Sequence, residues 1–324
     1  MRSTVSPKVL LIASGGGHTG FARAIAQHMP FKPDFVVPRG DKLSAQIALT
    51  NASRIYEVTK WRSPDGGSSG LGALRSLWES LRISRYDIVL ATGSNHSIFP
   101  SLVQRLKGAK LYVVESQDRI VTKGKAVYLL SFLSKGVFLH WESQRRLYPR
   151  KGIVVGPIVE KPRYFPSDMG YVLVTTGSMG FPRLVKRALK LRRKVVIQTG
   201  PLDPSDLSVG ENVTAFQFDP DLERWIAGAS IVVTHQGKTA MEAVVMYRKP
   251  VVIVYNRDWR RAASLEDTKL YARELGATFL DDPLTWRDES ILERTLGEVK
   301  PPKPHESGTP KLVDIILGEV EECG

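Results

Sequence analysis

The feature that most constrains this chain is a glycine-rich turn that occurs twice, each time between an apolar run and a helix-like segment. The first, at residues 14–20 (SGGGHTG), follows the run 9–13 (VLLIA), and the second, at 234–239 (THQGKT), follows 230–233 (SIVV). Glycine allows close approach of a ligand to the backbone, and a helix start offers unpaired amides and a positive dipole end. Two such turns, more than two hundred residues apart, predict two domains that each bind phosphate.

Apolar runs alternate with amphipathic segments along the whole chain, which predicts an α/β fold with parallel sheets covered on both faces. The predicted strands are 8–13, 34–37, 55–58, 87–91, 110–114, 136–140, 152–155, 171–175, 194–198, 213–217, 230–234, 250–254 and 277–280. The predicted helices are 19–28, 70–83, 97–107, 123–134, 142–148, 181–192, 220–228, 238–247, 264–275, 287–297 and 311–322.

A stretch with three prolines at 156–167 predicts the domain boundary. We therefore expect a first Rossmann-like domain at 1–160 and a second at 161–324, whose last helix packs back on the first domain. Doubly wound domains bind ligands at the carboxyl ends of their strands. Two of them facing each other across a central cleft form the expected architecture.

Composition narrows the partners and the compartment. A net charge of +13 favours acidic partners such as diphosphates, anionic lipid or nucleic acid, and the alternative is a solvated basic surface. No nucleic-acid-binding module is recognisable. No apolar run is long enough to span a bilayer, no secretory cleavage pattern is present, and the single cysteine, Cys323, cannot form an internal disulfide. These features predict a cytoplasmic protein.

The first glycine turn lacks the spacing of a dinucleotide fingerprint, and no acidic residue ends the next strand, so a nicotinamide cofactor is not expected. Its histidine, His18, is a poor residue for capping a helix, which makes it a candidate general base or phosphate ligand. Gly16, Gly17 and Thr19 are candidate phosphate contacts. The alternative is a tight turn that binds nothing.

Further candidates follow two other strands of the first half. Glu115 ends the strand 110–114 and is a candidate base or partner of His18, or else forms a surface ion pair with Arg119. Asn95 and His96 follow the strand 87–91 and either line the acceptor site or, for His96, cap the next helix. Arg119 is a candidate phosphate ligand on the acceptor side.

In the second half, two turns are candidate nucleotide-binding elements. Gly177 and Ser178 lie in a strand-to-helix turn suited to a diphosphate, and Gly237, Lys238 and Thr239 open a helix in which Glu242 follows. The carboxylate of Glu242 is a candidate acceptor of two hydrogen bonds from a ribose diol. The alternative is that it only complements the helix dipole.

Two other patterns have competing interpretations. Asp219-Pro220-Asp221 matches the DxD pattern of metal-dependent sugar transferases but precedes a helix, so we interpret it as a cap and expect no metal. The segment 70–85 has Leu71, Leu74, Trp78 and Leu81 at helical spacing among arginines. It either packs against the core or contacts a membrane surface.

Ordered blocks of the chain resemble a known enzyme family. The first half is similar to the membrane-recruiting subunit, and the second half to the catalytic subunit, of the UDP-N-acetylglucosamine transferases that extend dolichol diphosphate. A more distant resemblance is to the bacterial peptidoglycan N-acetylglucosaminyltransferases. The blocks are 16–19, 87–100, 114–119, 138–149, 156–158, 174–180, 230–242 and 248–256.

This resemblance implies a GT-B fold, UDP-GlcNAc as donor and no cofactor. Inverting transfer would give a β-linked N-acetylglucosamine on a lipid-diphosphate sugar for N-glycosylation, at the cytoplasmic face of a membrane. The donor-binding set it implies is Gly177, Ser178, Phe218 (uracil), His235, Gly237, Lys238, Thr239, Glu242 (ribose) and Asp267.

The chain departs from the family in three respects. It carries no N-terminal membrane helix, it joins both subunits in one polypeptide, and it has Leu-Glu-Asp-Thr at 265–268 where the family has Asp-Asn-His-Gln. A UDP-N-acetylglucosamine 2-epimerase and a non-catalytic nucleotide-sugar-binding or membrane-recruiting scaffold remain the alternatives.

Overall fold

A computed structural model describes residues 7–62, 70–177, 179–260 and 262–321. Within these ranges the chain forms two compact units. Unit 1 contains the residues up to 116, residues 123–161 and those from 307 onward, and unit 2 contains 117–122 and 162–306. The short segment 117–122 therefore folds with the second unit although its neighbours in sequence belong to the first.

Unit 1 is built on a parallel sheet of seven strands in the order β3-β2-β1-β4-β5-β6-β7. The strands are β1 (Val9–Ile12), β2 (Asp34–Pro38), β3 (Ile55–Val58), β4 (Ile88–Ala91), β5 (Lys110–Val114), β6 (Gly136–Leu139) and β7 (Gly152–Val154). All four residues of β1 and of β4 are buried, as expected for strands covered on both faces.

The helices of unit 1 are α1 (Gly17–His28), α2 (Lys42–Asn51), α3 (Gly70–Leu81), α4 (Ile98–Leu106), α5 (Lys125–Ser131) and the final α11 (Thr309–Glu321). Helix α11 packs against α1. Its first residue, Thr309, is buried and donates its hydroxyl to the carbonyl of Val159 at 2.7 Å. The last helix of the chain thus belongs to the first unit.

Unit 2 repeats this plan with six parallel strands in the order β10-β9-β8-β11-β12-β13. The strands are β8 (Val172–Thr175), β9 (Val195–Gln198), β10 (Val213–Phe216), β11 (Ile231–His235), β12 (Val251–Val254) and β13 (Thr278–Leu280). The helices are α6 (Pro182–Ala188), α7 (Leu222–Gly228), α8 (Lys238–Tyr247), α9 (Leu265–Leu275) and α10 (Ile291–Glu298).

The predicted fold class is confirmed, with two differences in the helices. Helix α2 was not predicted. Its leucines Leu43 and Leu49 are exposed, so its sequence lacks the apolar periodicity of a helix that packs on a core. The carboxylate of Asp41 caps its start by accepting a hydrogen bond from the Ser44 amide. The helix predicted at 142–148 is a 3-10 helix at Glu142–Leu147. Within the described ranges, no helix is both long and apolar enough to cross a bilayer.

Each sheet reverses its strand order once, between β1 and β4 in unit 1 and between β8 and β11 in unit 2. Ligands of doubly wound sheets bind at such switch points, outside the carboxyl ends of the two strands. The first predicted glycine turn follows β1 and the second follows β11. Both turns therefore lie where this fold places ligands.

Candidate active site

The first glycine turn leads from β1 into α1 through two residues with positive φ. Gly15 has φ +93° and Gly16 has φ +53°, a region that side chains with a Cβ rarely adopt. A Cβ on Gly15 would lie 3.2 Å from the Asp41 carboxylate. Gly16 and Gly17 are exposed at the helix start, so their backbone faces solvent at the switch point.

His18 is held across the switch point by the strand on the other side. Its Nδ1 lies 2.5 Å from the carbonyl oxygen of Thr92, which directly follows β4. A carbonyl only accepts, so Nδ1 carries the proton, and in the neutral form of the ring the lone pair is on Nε2. The next residue, Gly93, has φ +107°, and a Cβ there would lie 2.8 Å from His18 Cε1. This tautomer and orientation suit a general base.

Three neighbouring candidates have structural partners. The Thr19 hydroxyl is buried, accepts from the Gly15 amide at 3.0 Å and contacts the Ser44 hydroxyl. Asn95 is half-buried, and its carbonyl accepts from the Trp61 indole. His96 is 0% exposed, with Nε2 at 3.1 Å from the Val58 carbonyl, and burial lowers its pKa to about 4. The burial of Thr19 and His96 argues against the predicted acceptor contacts.

Glu115 is 0% exposed and its carboxylate is engaged within unit 1. One oxygen accepts from the Ser116 amide at 2.8 Å, and the other from the Gly124 amide at 3.0 Å and the Tyr148 hydroxyl at 2.6 Å. Glu115 therefore does not lie at the surface, where the ion-pair alternative placed it. This set of bonds favours a structural role over that of a base.

Unit 2 repeats the pairing of a histidine with a glycine at its switch point. Gly177, in the turn after β8, has φ +67°, and a Cβ there would lie 2.7 Å from Nε2 of His235, the last residue of β11. Burial lowers the pKa of His235 to about 4, so this ring is neutral near pH 7. The predicted partner Ser178 lies outside the described residues.

The second glycine turn joins β11 to α8 and is held in place by side-chain hydrogen bonds. Gln236 bonds through its side chain to both the amide and the carbonyl of Asn256, at 2.8 and 2.9 Å. The buried hydroxyl of Tyr271, on α9, donates to the Gly237 carbonyl at 2.9 Å. Gly237 and Thr239 are partly exposed. The turn is thus fixed in place while its helix start stays accessible.

An ion pair marks the beginning of α8. The Lys238 ammonium donates to the Glu242 carboxylate one helical turn further along, and the two side chains are 7% and 19% exposed. An unpaired carboxylate beside a helix start would repel an anionic ligand there. The lysine offsets that charge and orients Glu242.

Asp267 does not face a ligand as predicted. It is 0% exposed and forms a capping box with Ser264 at the start of α9. Its carboxylate also accepts hydrogen bonds from the segment 117–122. Asp267 is thus an anchor within unit 2, and the prediction of a sugar contact is corrected.

The remaining donor candidates lie near α7. Phe218 is 51% exposed just before it. The carboxylate of Asp219 accepts from the Trp225 indole at 2.8 Å and from Arg224 at 2.7 Å, while Asp221 pairs with Arg163 at 2.6 Å. Among the described residues, no group of three or more His, Cys, Asp and Glu side chains forms a metal site.

Helix α3 has the reverse of an ordinary amphipathic pattern. It buries Ser76, Glu79 and Ser80, whereas Leu71 and Trp78 are 81% and 52% exposed. The buried Glu79 pairs with Arg39 and Arg75, both at 3.0 Å. Further exposed apolar side chains lie on α3, α4 and α5, which pack side by side: Leu74, Leu81, Leu106, Tyr128 and Leu129. The alternative in which 70–85 packs its leucines against the core is therefore wrong.

Sequence reasoning missed Thr92, Gly93, Gln236 and Tyr271. Gly93 carried a signal, since it comes one hydroxyl residue after an apolar run, as Gly15 does. The others form hydrogen bonds with residues far away in sequence, which leave no local pattern.

Comparisons with known proteins agree with this architecture. Residues 171–282 match the model of the glycosyltransferase family 28 C-terminal domain. A UDP-N-acetylglucosamine–N-acetylmuramyl-(pentapeptide) pyrophosphoryl-undecaprenol N-acetylglucosamine transferase of Prochlorococcus marinus is 25% identical over 309 residues, which cover 84% of this chain and 82% of that protein.

Two solved structures share the fold over nearly the full length. MurG of Acinetobacter baumannii has a TM-score of 0.66 at 16% identity, covering 96% of this chain and 100% of its own. The UDP complex of MnaA from S. aureus has a TM-score of 0.63 at 15% identity and covers 97% of both chains. The dolichol-specific resemblance is not confirmed by these matches. What they do show is that the two Rossmann-like units have the architecture of GT-B glycosyltransferases.

Proposed function

We propose that this protein is a glycosyltransferase that moves N-acetylglucosamine from UDP-GlcNAc to a sugar on a polyprenyl diphosphate. The observation that carries the proposal is the second glycine turn, where an accessible helix start and the paired Glu242 lie together at the switch point of unit 2. The family match of residues 171–282 and the printed activity of the Prochlorococcus relative support the donor and the lipid-linked acceptor.

In this proposal unit 2 holds the donor. The amides at 237–239 and the turn at Gly177 bind the diphosphate, as helix starts and glycine turns do for anions. Glu242 accepts hydrogen bonds from the ribose hydroxyls, and the backbone near the exposed Phe218 receives the uracil.

Unit 1 supplies the base. A hydroxyl oxygen of the acceptor sugar forms a bond to C1 of N-acetylglucosamine while the bond from C1 to the UDP oxygen breaks and its electron pair leaves with UDP. His18 Nε2 takes the hydroxyl proton, and Thr92 holds the opposite nitrogen throughout. A single displacement inverts C1 and produces a β-linkage.

Charge on the departing UDP is stabilised by helix-start amides and basic side chains. The DxD carboxylates, which hold a metal in other sugar transferases, are engaged here by Trp225, Arg224 and Arg163. We therefore expect turnover to persist in the presence of a chelator.

The exposed apolar face of α3, α4 and α5 supports docking on a membrane from the cytoplasmic side. Arg82 stacks on Trp78 at 3.2 Å, which keeps a cation beside an aromatic ring, a pair suited to the interface of an anionic bilayer. Trp78→Ser is expected to reduce binding to phosphatidylglycerol vesicles about tenfold or more in a flotation assay. Unchanged binding, compared with the buried-face variant Ser76→Ala, would contradict this surface.

Two acceptor types fit the proposal. The relatives' printed names favour an undecaprenyl-diphosphate-linked muramyl peptide, whereas the sequence blocks of the first half favour a dolichyl-diphosphate sugar for N-glycosylation. Parallel assays with the two lipids, each with labelled UDP-GlcNAc, decide between them.

The same assay tests the activity itself. Lipid-dependent release of UDP with label in the lipid supports transfer. A free epimerised nucleotide sugar without lipid would establish the epimerase instead, and binding without turnover would establish a scaffold.

A further inference from the structure

The segment 117–122 is built into unit 2 by one carboxylate. Asp267 Oδ1 accepts from three successive backbone amides, those of Ile120, Val121 and Thr122, at 2.9, 2.7 and 3.1 Å. Oδ2 accepts from the Thr122 hydroxyl at 2.6 Å and the Ser264 hydroxyl at 2.7 Å. Bonds to a charged acceptor are the strong ones, so this segment has a defined position.

The charge on Asp267 is itself well supported. Burial opposes ionisation, yet the bonds from Thr122, Val121 and Ser264 lower the pKa of the carboxyl below its ordinary value. Asp267 is therefore ionised at neutral pH, and the three amides face a full negative charge.

The same helix fixes the second glycine turn. Tyr271 lies one turn after Asp267 on α9, so the two side chains share a face of the helix. Its hydroxyl donates to the Gly237 carbonyl at 2.9 Å. Burial, followed by the charges of Asp118 and Glu242, raises the pKa of Tyr271 well above its ordinary value, so its hydroxyl keeps its proton. One helix thus fixes both the segment and the turn.

Arg119 is the cation of this segment. Its Nη1 donates to the Thr122 hydroxyl at 2.7 Å, and that hydroxyl donates in turn to Asp267 at 2.6 Å. A hydroxyl can donate its one proton and accept on its lone pairs at the same time. Thr122 therefore links the Arg119 guanidinium to the Asp267 carboxylate through two hydrogen bonds. The arginine is half-buried, and the Thr122 hydroxyl fixes the position of one of its guanidinium nitrogens.

We propose that Arg119 binds the diphosphate of the UDP-sugar at the Gly237 turn, and that Thr122 and Asp267 are its positioning residues. This rests on the proposed function and moves Arg119 from the acceptor side, where the sequence placed it, to the donor side. A guanidinium offers a planar pair of donors that matches phosphate oxygens and stays charged at every working pH.

The test compares ligands that differ only in phosphate number. Calorimetric titrations of the full chain with UDP, UMP and uridine are run for Arg119→Met, Arg119→Lys and Thr122→Val. Arg119→Met is expected to weaken UDP about 10- to 100-fold and leave uridine unchanged, since hydrogen bonds to charged groups are worth about 1.5–3 kcal/mol. Arg119→Lys is expected to lose less affinity for UDP than Arg119→Met does. Thr122→Val, which removes only the positioning hydroxyl, is also expected to lose less affinity than Arg119→Met.

Arg294→Met is the matched control, because Arg294 is an exposed arginine of unit 2 paired with Asp288 at the surface. It should bind all three ligands as the unmodified chain does. Thermal unfolding of each variant is followed in parallel, and Thr122→Val is informative even if Arg119→Met folds poorly.

Four results would overturn the inference. Arg119→Met could bind UDP normally while its KM for the lipid acceptor rises, which would return Arg119 to the acceptor side. Equal losses for uridine and UDP would show a purely structural role, as would a lowered melting temperature with unchanged UDP affinity. If the unmodified chain binds no UDP, the proposed function fails first, and this inference with it.

Discussion

The two switch points of this protein pair the same residue types in opposite order. In unit 1 a histidine after the first strand, His18, packs on a left-handed glycine after the fourth, Gly93. In unit 2 the glycine, Gly177, follows the first strand and the histidine, His235, ends the fourth. The same edge of the same fold therefore carries a histidine in two different settings.

The settings differ in what the ring can do. A backbone carbonyl fixes the proton of His18 on Nδ1, so its Nε2 carries the lone pair. Burial keeps His235 neutral, with its Nδ1 unpaired among the described residues, and the charge at that turn comes instead from Lys238 and Glu242. We infer that the first turn serves chemistry and the second serves binding.

The largest expected effect is that of His18→Ala. Loss of a general base lowers kcat about 100- to 10,000-fold, while the Kd for UDP, measured by calorimetry, stays that of the unmodified chain. Near-normal turnover with intact UDP binding would exclude His18 as the base.

Glu115→Gln is the companion variant, since Glu115 was the other candidate base. Its amide group would face the amide and hydroxyl donors that the carboxylate now accepts from, at a cost of about 1–3 kcal/mol in the free energy of unfolding. We expect urea unfolding to show this loss while kcat stays within about tenfold of normal. A loss of kcat equal to that of His18→Ala, in folded protein, would make Glu115 the base.

Glu242→Gln should act on binding. It removes the charged acceptor for the ribose and the partner of Lys238, so the KM for UDP-GlcNAc and the Kd for UDP are expected to rise about 10- to 100-fold. Steady-state kinetics and calorimetry measure both. If UDP affinity is retained, Glu242 only complements the helix dipole.

The glycine pair offers a symmetric test. A Cβ at Gly93 would displace His18, and one at Gly177 would displace His235, besides about 1–2 kcal/mol of backbone strain at positive φ. Gly93→Ala is expected to lower kcat about tenfold with UDP binding retained, and Gly177→Ala to weaken UDP by a similar factor. If both variants changed kcat and UDP affinity in the same way, the two turns would not have separate roles in catalysis and in binding.

The smallest effect on ligand binding is expected for His235→Gln. The ring is neutral, so the loss of affinity for UDP should not exceed about tenfold, the value of one neutral hydrogen bond. Its lowered pKa, about 4 against 6.5, adds stability above pH 6.5 that is lost as pH falls toward 4.

Lowering the pH from 7 to 5 therefore reduces the free energy of unfolding of both proteins. The reduction is expected to be about 1–2 kcal/mol smaller for His235→Gln than for the unmodified chain. Urea unfolding at the two pH values measures this. Identical losses would show that His235 is not buried as a neutral ring.

Strands and turns were predictable because each depends on a local pattern. Apolar runs such as 9–13 and 230–233 bounded by glycine identified both sheets and both switch points. The hydrogen-bond partners of Asp267 and Glu115 could not be predicted because Thr122 and Tyr148 lie far away from them in sequence. Helix α3 was undecided because exposed and buried leucines have the same spacing, and the buried Glu79 becomes visible only with Arg39 beside it.

The most direct test of the division between the turns is turnover as a function of UDP-GlcNAc concentration for His18→Ala and Glu242→Gln. Saturating donor is expected to return Glu242→Gln to near-normal kcat, because its defect lies in binding, and to leave His18→Ala at its low rate. Rescue of His18→Ala by donor, or failure to rescue Glu242→Gln, would contradict the account.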